Sequence, residues 1–191
     1  MASFEEVLTF WFGTHELTKQ ISPRRAWFAK DTEFDRTIQE RFGALLDQAA
    51  AGELDAWRKN PPSCLALLIL LDQFSRNVYR GTPRAFANDP SALQHALYAL
   101  DHGYDREVAP VARWFFYLPL EHCESLERQR DALARFKMLQ GTPGWTHPVG
   151  SAEKHLAIIE RFGRFPHRNA ILGRESTPEE IEFLGHDGTN S

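Results

Sequence analysis

The sequence predicts an all-α protein, built as a single domain of seven to eight antiparallel helices. Along most of the 191-residue chain, hydrophobic residues recur at intervals of three and four, which is the spacing of one face of an α-helix. Segments with the strict alternation of a β-strand are nearly absent. Short stretches rich in glycine and proline separate the periodic segments, so consecutive helices are expected to pack side by side in opposite directions.

The ends of the predicted helices are marked by residues that favour helix boundaries. Ser3, Asp31 and Ser151 are expected N-caps, because their side-chain oxygens can accept the unpaired N–H groups of a first turn. Asp89 and Thr177 are each followed by proline at the first helical position, and Thr177 also opens a capping box. The predicted helices cover about residues 3–13, 31–52, 63–79, 89–103, 110–117, 121–139, 151–162 and 177–185.

The helix that begins near Ser63 is predicted to lie at the centre of the fold. It is apolar on almost every side as far as Leu71, which is typical of a helix surrounded by other elements. Its far end is different, because two rows of polar residues spaced four apart emerge there. These rows are Asp72, Arg76 and Arg80, and Gln73 and Asn77.

One domain is expected over residues 1–185, followed by a frayed tail over residues 186–191. Hydrophobic residues make up 42% of the chain and charged residues 25%, as in ordinary soluble globular proteins. The longest apolar run, Cys64 to Leu71, is too short to cross a bilayer. The N-terminus has acidic residues where a signal peptide has basic ones. We therefore predict a cytoplasmic protein without a membrane partner.

Charge and cysteine content argue against several classes of function. The formal net charge is −4 and the isoelectric point is near 6.1, so the broad basic surface of a nucleic-acid-binding protein is not expected. Cys64 and Cys123 match neither a disulfide framework nor a zinc site. The sequence has no nucleotide-binding loop, nucleophile elbow or cofactor fingerprint. We predict no nucleic-acid partner, no metal and no cofactor.

Residues 161–174, called here the arginine-rich segment, form the most unusual stretch of the chain. The segment contains four arginines, His167 and Asn169, and no Asp, Glu or Lys. Arginine has a planar fork of donors that suits carboxylate and phosphate groups. Two glycines and Pro166 favour tight turns, so the segment is predicted to be an ordered loop that binds an anion. The alternative is structural, because buried arginines also bind free carbonyls at helix ends.

A family resemblance is carried by four stretches that occur in order along the chain. They are Leu71-Asp-Gln-Phe-Ser-Arg-Asn-Val-Tyr-Arg-Gly-Thr-Pro, Phe115-Phe-Tyr-Leu-Pro-Leu-Glu-His-Cys-Glu-Ser, Arg161-Phe-Gly-Arg-Phe-Pro-His-Arg-Asn and Leu172-Gly-Arg-Glu-Ser-Thr-Pro-Glu-Glu. Over nearly its whole length the chain resembles the bacterial domain of unknown function 924 family. The resemblance implies an all-helical fold similar to tetratricopeptide-repeat proteins, although the repeat signature is absent. It implies no settled activity. Ser75 stands where the family usually has proline, and we expect no functional consequence.

Three histidines are the candidate proton-transfer groups. His122 and Cys123 are adjacent on a predicted helix and point about 100° apart, so they are badly placed as a nucleophile and its base. His155 lies on an apolar helix face shortly before the arginine-rich segment. It is interpreted either as a core histidine bonded to a carbonyl or as a general acid or base beside an anion. His167 lies within the segment itself.

A metal-dependent enzyme is an alternative hypothesis. His122, Glu124, His155 and His167 are suitable ligand types from three parts of the chain. The Glu-x-x-His and His-Glu-x-x-His motifs are absent. The neighbouring arginines would also repel a cation, so the sequence favours an anion over a metal ion.

The sequence thus predicts one polar pocket for a small anionic metabolite, a carboxylate or a phosphate. The predicted catalytic residues are His122, His155 and His167. The predicted ligand-binding residues are Arg76, Asn77, Arg80, Glu124, Arg164, Arg168, Asn169 and Arg174. Whether the metabolite is only bound or also converted stays open at this point; among reactions, hydrolase or lyase chemistry fits best, because it needs only acid–base groups. The rival hypothesis is a tetratricopeptide-like adaptor that binds a protein or peptide in an apolar groove.

Overall fold

A computed structural model describes residues 2–186, and over this range the chain forms eight helices and no strand. The predicted all-α fold is therefore confirmed. The helices are α1 (Phe4–Phe12), α2 (Thr32–Ala50), α3 (Pro61–Leu68, continued by a π-helical stretch Ile69–Phe74 and by Ser75–Val78), α4 (Asp89–Asp101), α5 (Pro110–Glu121), α6 (Leu126–Lys137), α7 (Thr146–Phe162) and α8 (Pro178–His186). Residues 187–191, which make up most of the predicted tail, lie outside the described residues.

Helix α3 is the centre of the fold, as its composition predicts. All side chains from Cys64 to Leu71 are buried, and α1, α2, α4 and α5 pack around the helix. Burial of a Leu or Ile side chain stabilises a fold by about 1.5–3 kcal/mol, so this helix accounts for a large share of the hydrophobic stabilisation. Between residues 2 and 186 no helix is long and apolar enough to cross a membrane.

The predicted N-caps of three helices are confirmed. Ser3 forms a capping box at the start of α1, and the Asp31 carboxylate accepts two backbone N–H groups at the start of α2. Thr177 and Glu180 form the predicted capping box of α8. These signals are local, since each involves groups within three residues of one another.

Two boundaries around the middle of the chain differ from the prediction. Helix α5 continues through Pro119 to Glu121, whereas the predicted helix ends at residue 117, before that proline. Because Pro119 lies in the last turn, its missing N–H removes few helical bonds, and the aromatic residues of α5 are buried in the core. The next helix begins at Leu126 instead of residue 121. His122 to Glu124 are therefore in a turn between two helices.

Helix α7 begins five residues before its predicted cap, at Thr146 instead of Ser151. The hydroxyl of Ser151 is bonded to the side chain of Glu121 and is not used as a cap. Pro148 lies in the first turn of α7, where a missing N–H has little cost. The Gly- and Pro-rich stretch before Ser151 was predicted to be a loop, and part of it is helical.

The π-helical stretch Ile69–Phe74 is a feature that regular periodicity does not predict. A π-helical turn inserts an extra residue into a helix and often occurs at functional sites. The stretch includes Asp72 and Gln73, and both side chains are buried. The first polar residues of α3 therefore point into the protein.

Candidate functional site

Several of the predicted site residues meet at one place in the fold. The elements that come together there are the π-helical stretch of α3, the start of α4, the end of α5, helix α7 and the arginine-rich segment. A pocket of about 350 Å³ opens at this place. Its apolar wall includes Phe86, Leu93 and Leu172. Its polar lining residues are Asp89, His122, Cys123, Glu124 and Arg168.

His122 is held by a buried carboxylate. Its Nδ1 atom lies 2.7 Å from Oδ1 of Asp72, whose other oxygen accepts a 2.6 Å bond from Gln73. Burial alone would raise the pKa of Asp72, but the charges of His122 and Arg76 and the two hydrogen bonds outweigh it and hold the pKa well below its usual range. Because an ionised carboxylate can only accept, Nδ1 of His122 carries the hydrogen. Its Nε2 atom has no hydrogen-bond partner among the described residues.

His155 is also held by a buried carboxylate, that of Glu121. Its Nδ1 atom lies 2.5 Å from Oε1 of Glu121, and the same oxygen accepts a 2.8 Å bond from Ser151. Within residues 2–186, the other carboxylate oxygen of Glu121 is buried without a hydrogen-bond partner. The rings of His122 and His155 are 6.5 Å apart between centroids. Of the two interpretations of His155, the carbonyl-bonded core histidine does not describe these contacts.

Arg168 is the arginine of the segment that lines the pocket. It is only 7% exposed, and its guanidinium lies between the rings of Phe86 and Phe165 at 4.6 and 4.5 Å. It donates to Asp89 at 3.2 Å and to the carbonyl of His122 at 2.9 Å. Burial and the nearby charge of Arg76 lower the pKa of Arg168 to about 10, so the guanidinium stays charged at neutral pH.

Asp89 connects two arginines that are distant in the sequence. Arg76 donates two hydrogen bonds to the Asp89 carboxylate, at 2.8 and 3.2 Å, and Arg168 donates a third. Arg76 also lies 3.6 Å from Asp72, so the predicted contact between residues four apart exists but is longer than the contact with Asp89. One carboxylate thus faces two positive charges on the pocket wall.

Glu124 and Arg174 bind each other. Arg174 donates two hydrogen bonds to Glu124, at 2.7 and 3.0 Å, and the backbone N–H of Phe165 donates a third. Burial raises the pKa of Glu124, but the bonds from Arg174 and Phe165 outweigh it and lower the pKa overall. Glu124 therefore attaches the arginine-rich segment to the turn after α5.

His167 is not a lining residue of the pocket. Its ring lies next to that of Phe165, with 5.4 Å between the centroids. Burial, then the charges of Arg168 and His155, lower the pKa of His167 to about 4. No hydrogen bond to its side chain occurs within the described part of the chain. His167 is therefore neutral at neutral pH.

Four predicted ligand-binding residues have partners outside the pocket. Asn77 and Arg80 both bind Asp35 of α2, with contacts of 2.6 Å for Asn77 and 2.9 and 3.2 Å for Arg80. Arg164 and Asn169 bind Glu180 of α8. These contacts are structural, since they attach α2 to α3 and α8 to the arginine-rich segment. They run to carboxylates, whereas the structural alternative predicted bonds to helix-end carbonyls. Of the predicted site residues, His122, Glu124 and Arg168 line the pocket. Arg76, His155 and Arg174 are not lining residues, but each lies next to one, through Asp89, His122 and Glu124 respectively.

Three acidic residues of this site are not among the predicted site residues. The sequence suggests a different role for each of them. Asp72 is interpreted as the partner of Arg76, four positions away. Asp89 is interpreted as a helix cap, and Glu121 as the first residue of a helix. A general signal was available, because a buried arginine or histidine requires a nearby carboxylate or carbonyl. The sequence does not show which carboxylate that is.

No group of three or more His, Cys, Asp or Glu residues suited to a metal ion occurs among the residues that the structure describes. The carboxylates of Asp89 and Glu124 are occupied by arginines. The metal-dependent alternative therefore has no geometric support in this part of the chain.

Comparison with known proteins identifies the family. The model of the family described as bacterial protein of unknown function (DUF924) matches residues 7–188. The chain belongs to this family. It is similar to the solved structure of a protein of unknown function from Agrobacterium tumefaciens, with 46% sequence identity, a TM-score of 0.78, and coverage of 83% of this chain and 87% of that chain. No curated protein matches the chain. Family membership supports the helical fold and names no activity.

Proposed function

We propose that this member of the DUF924 family binds a small anionic metabolite, a carboxylate or a phosphate, in the pocket beside His122. His122 then transfers a proton to or from the bound molecule, in a hydrolase or lyase reaction. One observation carries the proposal: a buried carboxylate, Asp72, binds Nδ1 of His122 at 2.7 Å.

The bond to Asp72 prepares His122 for proton transfer. It orients the ring and leaves Nε2 as the nitrogen that can accept a proton. Asp72 also stabilises the imidazolium that forms when Nε2 is protonated. The His122 side chain is 14% exposed and lines the pocket, so a small molecule can reach it while most of the ring stays fixed.

The arginines of the site supply positive charge for an anion. Asp89 shares one negative charge between Arg76 and Arg168, while the carboxylates of Asp72 and Glu124 offset further positive charge nearby. Because Arg168 lines a pocket whose other wall is apolar, its attraction to an anion there is screened less than at an open surface. Protonation of His122 adds to this charge, so the anion and the imidazolium stabilise each other.

A thermal-shift experiment tests the proposal. Wild type, His122→Gln and His147→Gln are melted with and without inorganic phosphate and a panel of small carboxylates, and each variant is compared with its own unliganded melting temperature. A ligand at 100 times its Kd stabilises a protein by about 2.7 kcal/mol. At least one anion is expected to stabilise wild type and His147→Gln, and to have a smaller effect on His122→Gln. The proposal is wrong if no anion stabilises wild type, or if His122→Gln responds equally.

A second candidate function, binding of a protein or peptide, is favoured by one observation elsewhere on the molecule. Phe28 is 45% exposed and stacks on His147 at 4.7 Å, beside a mostly apolar pocket of about 390 Å³. Arg25 and Trp114 also line this pocket. An aromatic side chain of a peptide with a nearby carboxylate would fit such a surface. Phe28→Ser should abolish capture of a partner that His122→Gln still captures; a partner captured equally by Phe28→Ser would count against this candidate.

A further inference from the structure

We infer that His155, held by Glu121, is a second proton-transfer group of the same site and acts together with His122. The inference rests on the proposed function of His122 and adds the partner group and the class of reaction. Glu121 and Ser151 are positioning residues in it, because they act through His155.

The two histidines are held in the same way. Each imidazole binds a fully buried carboxylate through Nδ1, at 2.7 Å for His122 and 2.5 Å for His155. Each carboxylate also accepts one neutral donor, from Gln73 in the case of Asp72 and from Ser151 in the case of Glu121. Both imidazole side chains remain partly exposed, at 14% and 21%. This repeated arrangement leaves Nε2 of each ring available for proton transfer.

The end of α5 connects the two pairs. Glu121 and His122 are adjacent residues, so this helix end supplies the carboxylate of one pair and the imidazole of the other. The two rings are 6.5 Å apart between centroids, at an angle of 72°. One small molecule, or one molecule with a bridging water, can therefore contact both.

The Glu121 carboxylate holds Ser151 and His155 through one shared oxygen. Its other oxygen is buried without a hydrogen-bond partner within residues 2–186, as are side-chain atoms of Gln129 and Asn169. The observation that supports the inference is therefore the shared oxygen, which fixes the His155 ring.

Two proton-transfer groups favour a reaction that removes one proton from the substrate and adds one at a nearby atom. In an elimination, one imidazole takes the proton from carbon and the C–H electron pair forms the new double bond. The bond to the leaving oxygen breaks with its electron pair, and that oxygen takes the Nε2 proton of the other imidazole, which enters the step as an imidazolium and leaves it neutral. The two imidazoles then exchange protons with solvent. No oxidant or reductant is needed, so the substrate class is a small carboxylate or phosphate compound that undergoes elimination, addition or isomerisation.

Nitrogen NMR of the histidine side chains tests the inference in the full chain. Above the pH at which the rings are protonated, His122 and His155 are both expected to carry hydrogen on Nδ1. His147, whose ring stacks on Phe28 and which has no carboxylate partner among the described residues, serves as the control. It is expected to be mostly the Nε2–H form found in free imidazole side chains. Glu121→Gln should change the spectrum of His155 and leave the hydrogen of His122 on Nδ1. If Glu121→Gln does not fold, Ser151→Ala replaces it. A His155 with hydrogen on Nε2 in wild type would overturn the inference.

Addition of inorganic phosphate separates this inference from the proposed function. If both are correct, phosphate shifts the Nε2 signals of His122 and His155 together and leaves His147 unchanged. If phosphate shifts His122 alone, the proposed function stands and the second proton-transfer group is rejected. If phosphate and a small carboxylate such as acetate shift neither signal, both ideas are rejected.

Discussion

Glu180 of α8 binds Arg164 of the arginine-rich segment through both carboxylate oxygens, at 2.6 and 2.8 Å. Glu180 also accepts hydrogen bonds from Asn169 and from the backbone N–H of Thr177. The carboxylate is buried, and it joins α8 to the arginine-rich segment, a connection to which Arg161 and Glu179 add an exposed ion pair. The same residue that completes the local capping box of α8 therefore attaches that helix to the segment next to the pocket.

Replacement of Glu180 should destabilise the protein. In Glu180→Gln, the charged acceptor of several hydrogen bonds is lost and Arg164 loses its ionised partner, so we expect the free energy of unfolding to fall by about 2 kcal/mol. Urea unfolding measures the change. Glu182, in the same helix but exposed, is the matched control, and Glu182→Gln should have an effect below about 0.5 kcal/mol. Equal effects of the two substitutions would contradict this role of Glu180.

Acid should weaken the attachment of α8 in a defined pH range. The hydrogen bond from Arg164 lowers the pKa of Glu180 to about 2, below the usual value of about 4.3 in an unfolded chain. A carboxyl group whose pKa is lower in the folded protein than in the unfolded chain stabilises the fold at pH values above its unfolded pKa. This stabilisation is lost as the pH falls through the pKa of the folded protein. We expect this loss between about pH 4.5 and 2. Unfolding of wild type and Glu180→Gln is measured at several pH values. The difference between their free energies of unfolding should become smaller as the pH falls through that range. A constant difference would refute the assignment.

His167 should make stability depend on pH in a higher range. Burial lowers the pKa of His167 to about 4, so between this value and about 6.5 the unfolded chain binds the proton that the folded chain does not. Stability should therefore decrease as pH falls from about 6.5 to 4, by about 2 kcal/mol. His167→Gln removes the proton-binding group, and His15→Gln, at an exposed position, is the control. The prediction is wrong if His167→Gln keeps the full pH dependence of wild type.

Asp89 should be essential for the stability of the pocket wall. Asp89→Asn leaves Arg76 and Arg168 facing each other without the carboxylate that both bind. Loss of one partner from a buried ion pair typically costs about 3–5 kcal/mol. Thermal or urea unfolding measures the loss. Asp101, at the exposed other end of α4, is the control, and Asp101→Asn is expected to be neutral or slightly stabilising because an acidic residue is unfavourable at a helix C-terminus. A loss for Asp89→Asn below about 1 kcal/mol would contradict the shared role.

Gly144, which lines the pocket beside Phe28, and Gly150 of helix α7 should respond in opposite directions to alanine. Gly144 has a φ of +72°, and a Cβ there would lie 2.6 Å from Pro23 and 3.0 Å from Trp114. Gly144→Ala should destabilise the protein by about 1–2 kcal/mol. Gly150 lies in helix α7 with nothing within 4 Å of an added Cβ, so Gly150→Ala should stabilise it by about 0.5–1 kcal/mol. Differential scanning calorimetry distinguishes the two, and stabilisation by Gly144→Ala would show that the backbone there is not constrained.

Sequence reasoning predicted the elements of the fold better than the contacts of the site. The N-caps at Ser3 and Asp31 and the burial of α3 follow from residues close together in the chain, and they are confirmed. Pro119 is an exception, because a rule for isolated helices predicts a break there and tertiary packing keeps the helix intact. The π-helical turn at Asp72 likewise could not be predicted, because its extra residue departs from the regular hydrophobic spacing of a helix.

The roles of the arginines could not be predicted, because each depends on a distant partner. Arg80 and Arg168 belong to similar polar stretches in the sequence. Arg80 binds Asp35, 45 residues away, and does not line the pocket, whereas Arg168 binds Asp89, 79 residues away, at the pocket wall. The same guanidinium chemistry thus attaches two helices in one case and lines a pocket in the other.

By itself, the sequence determined that this protein is a helical member of the DUF924 family, where most of its helices begin and end, and which helix is central. These properties depend on hydrophobic spacing and on capping groups a few residues apart. Only the tertiary structure decided that Asp72 and Glu121 each hold one imidazole, and that those imidazoles lie 6.5 Å apart. A buried charge is stable only beside its partner, and which groups become partners is decided when the helices pack together.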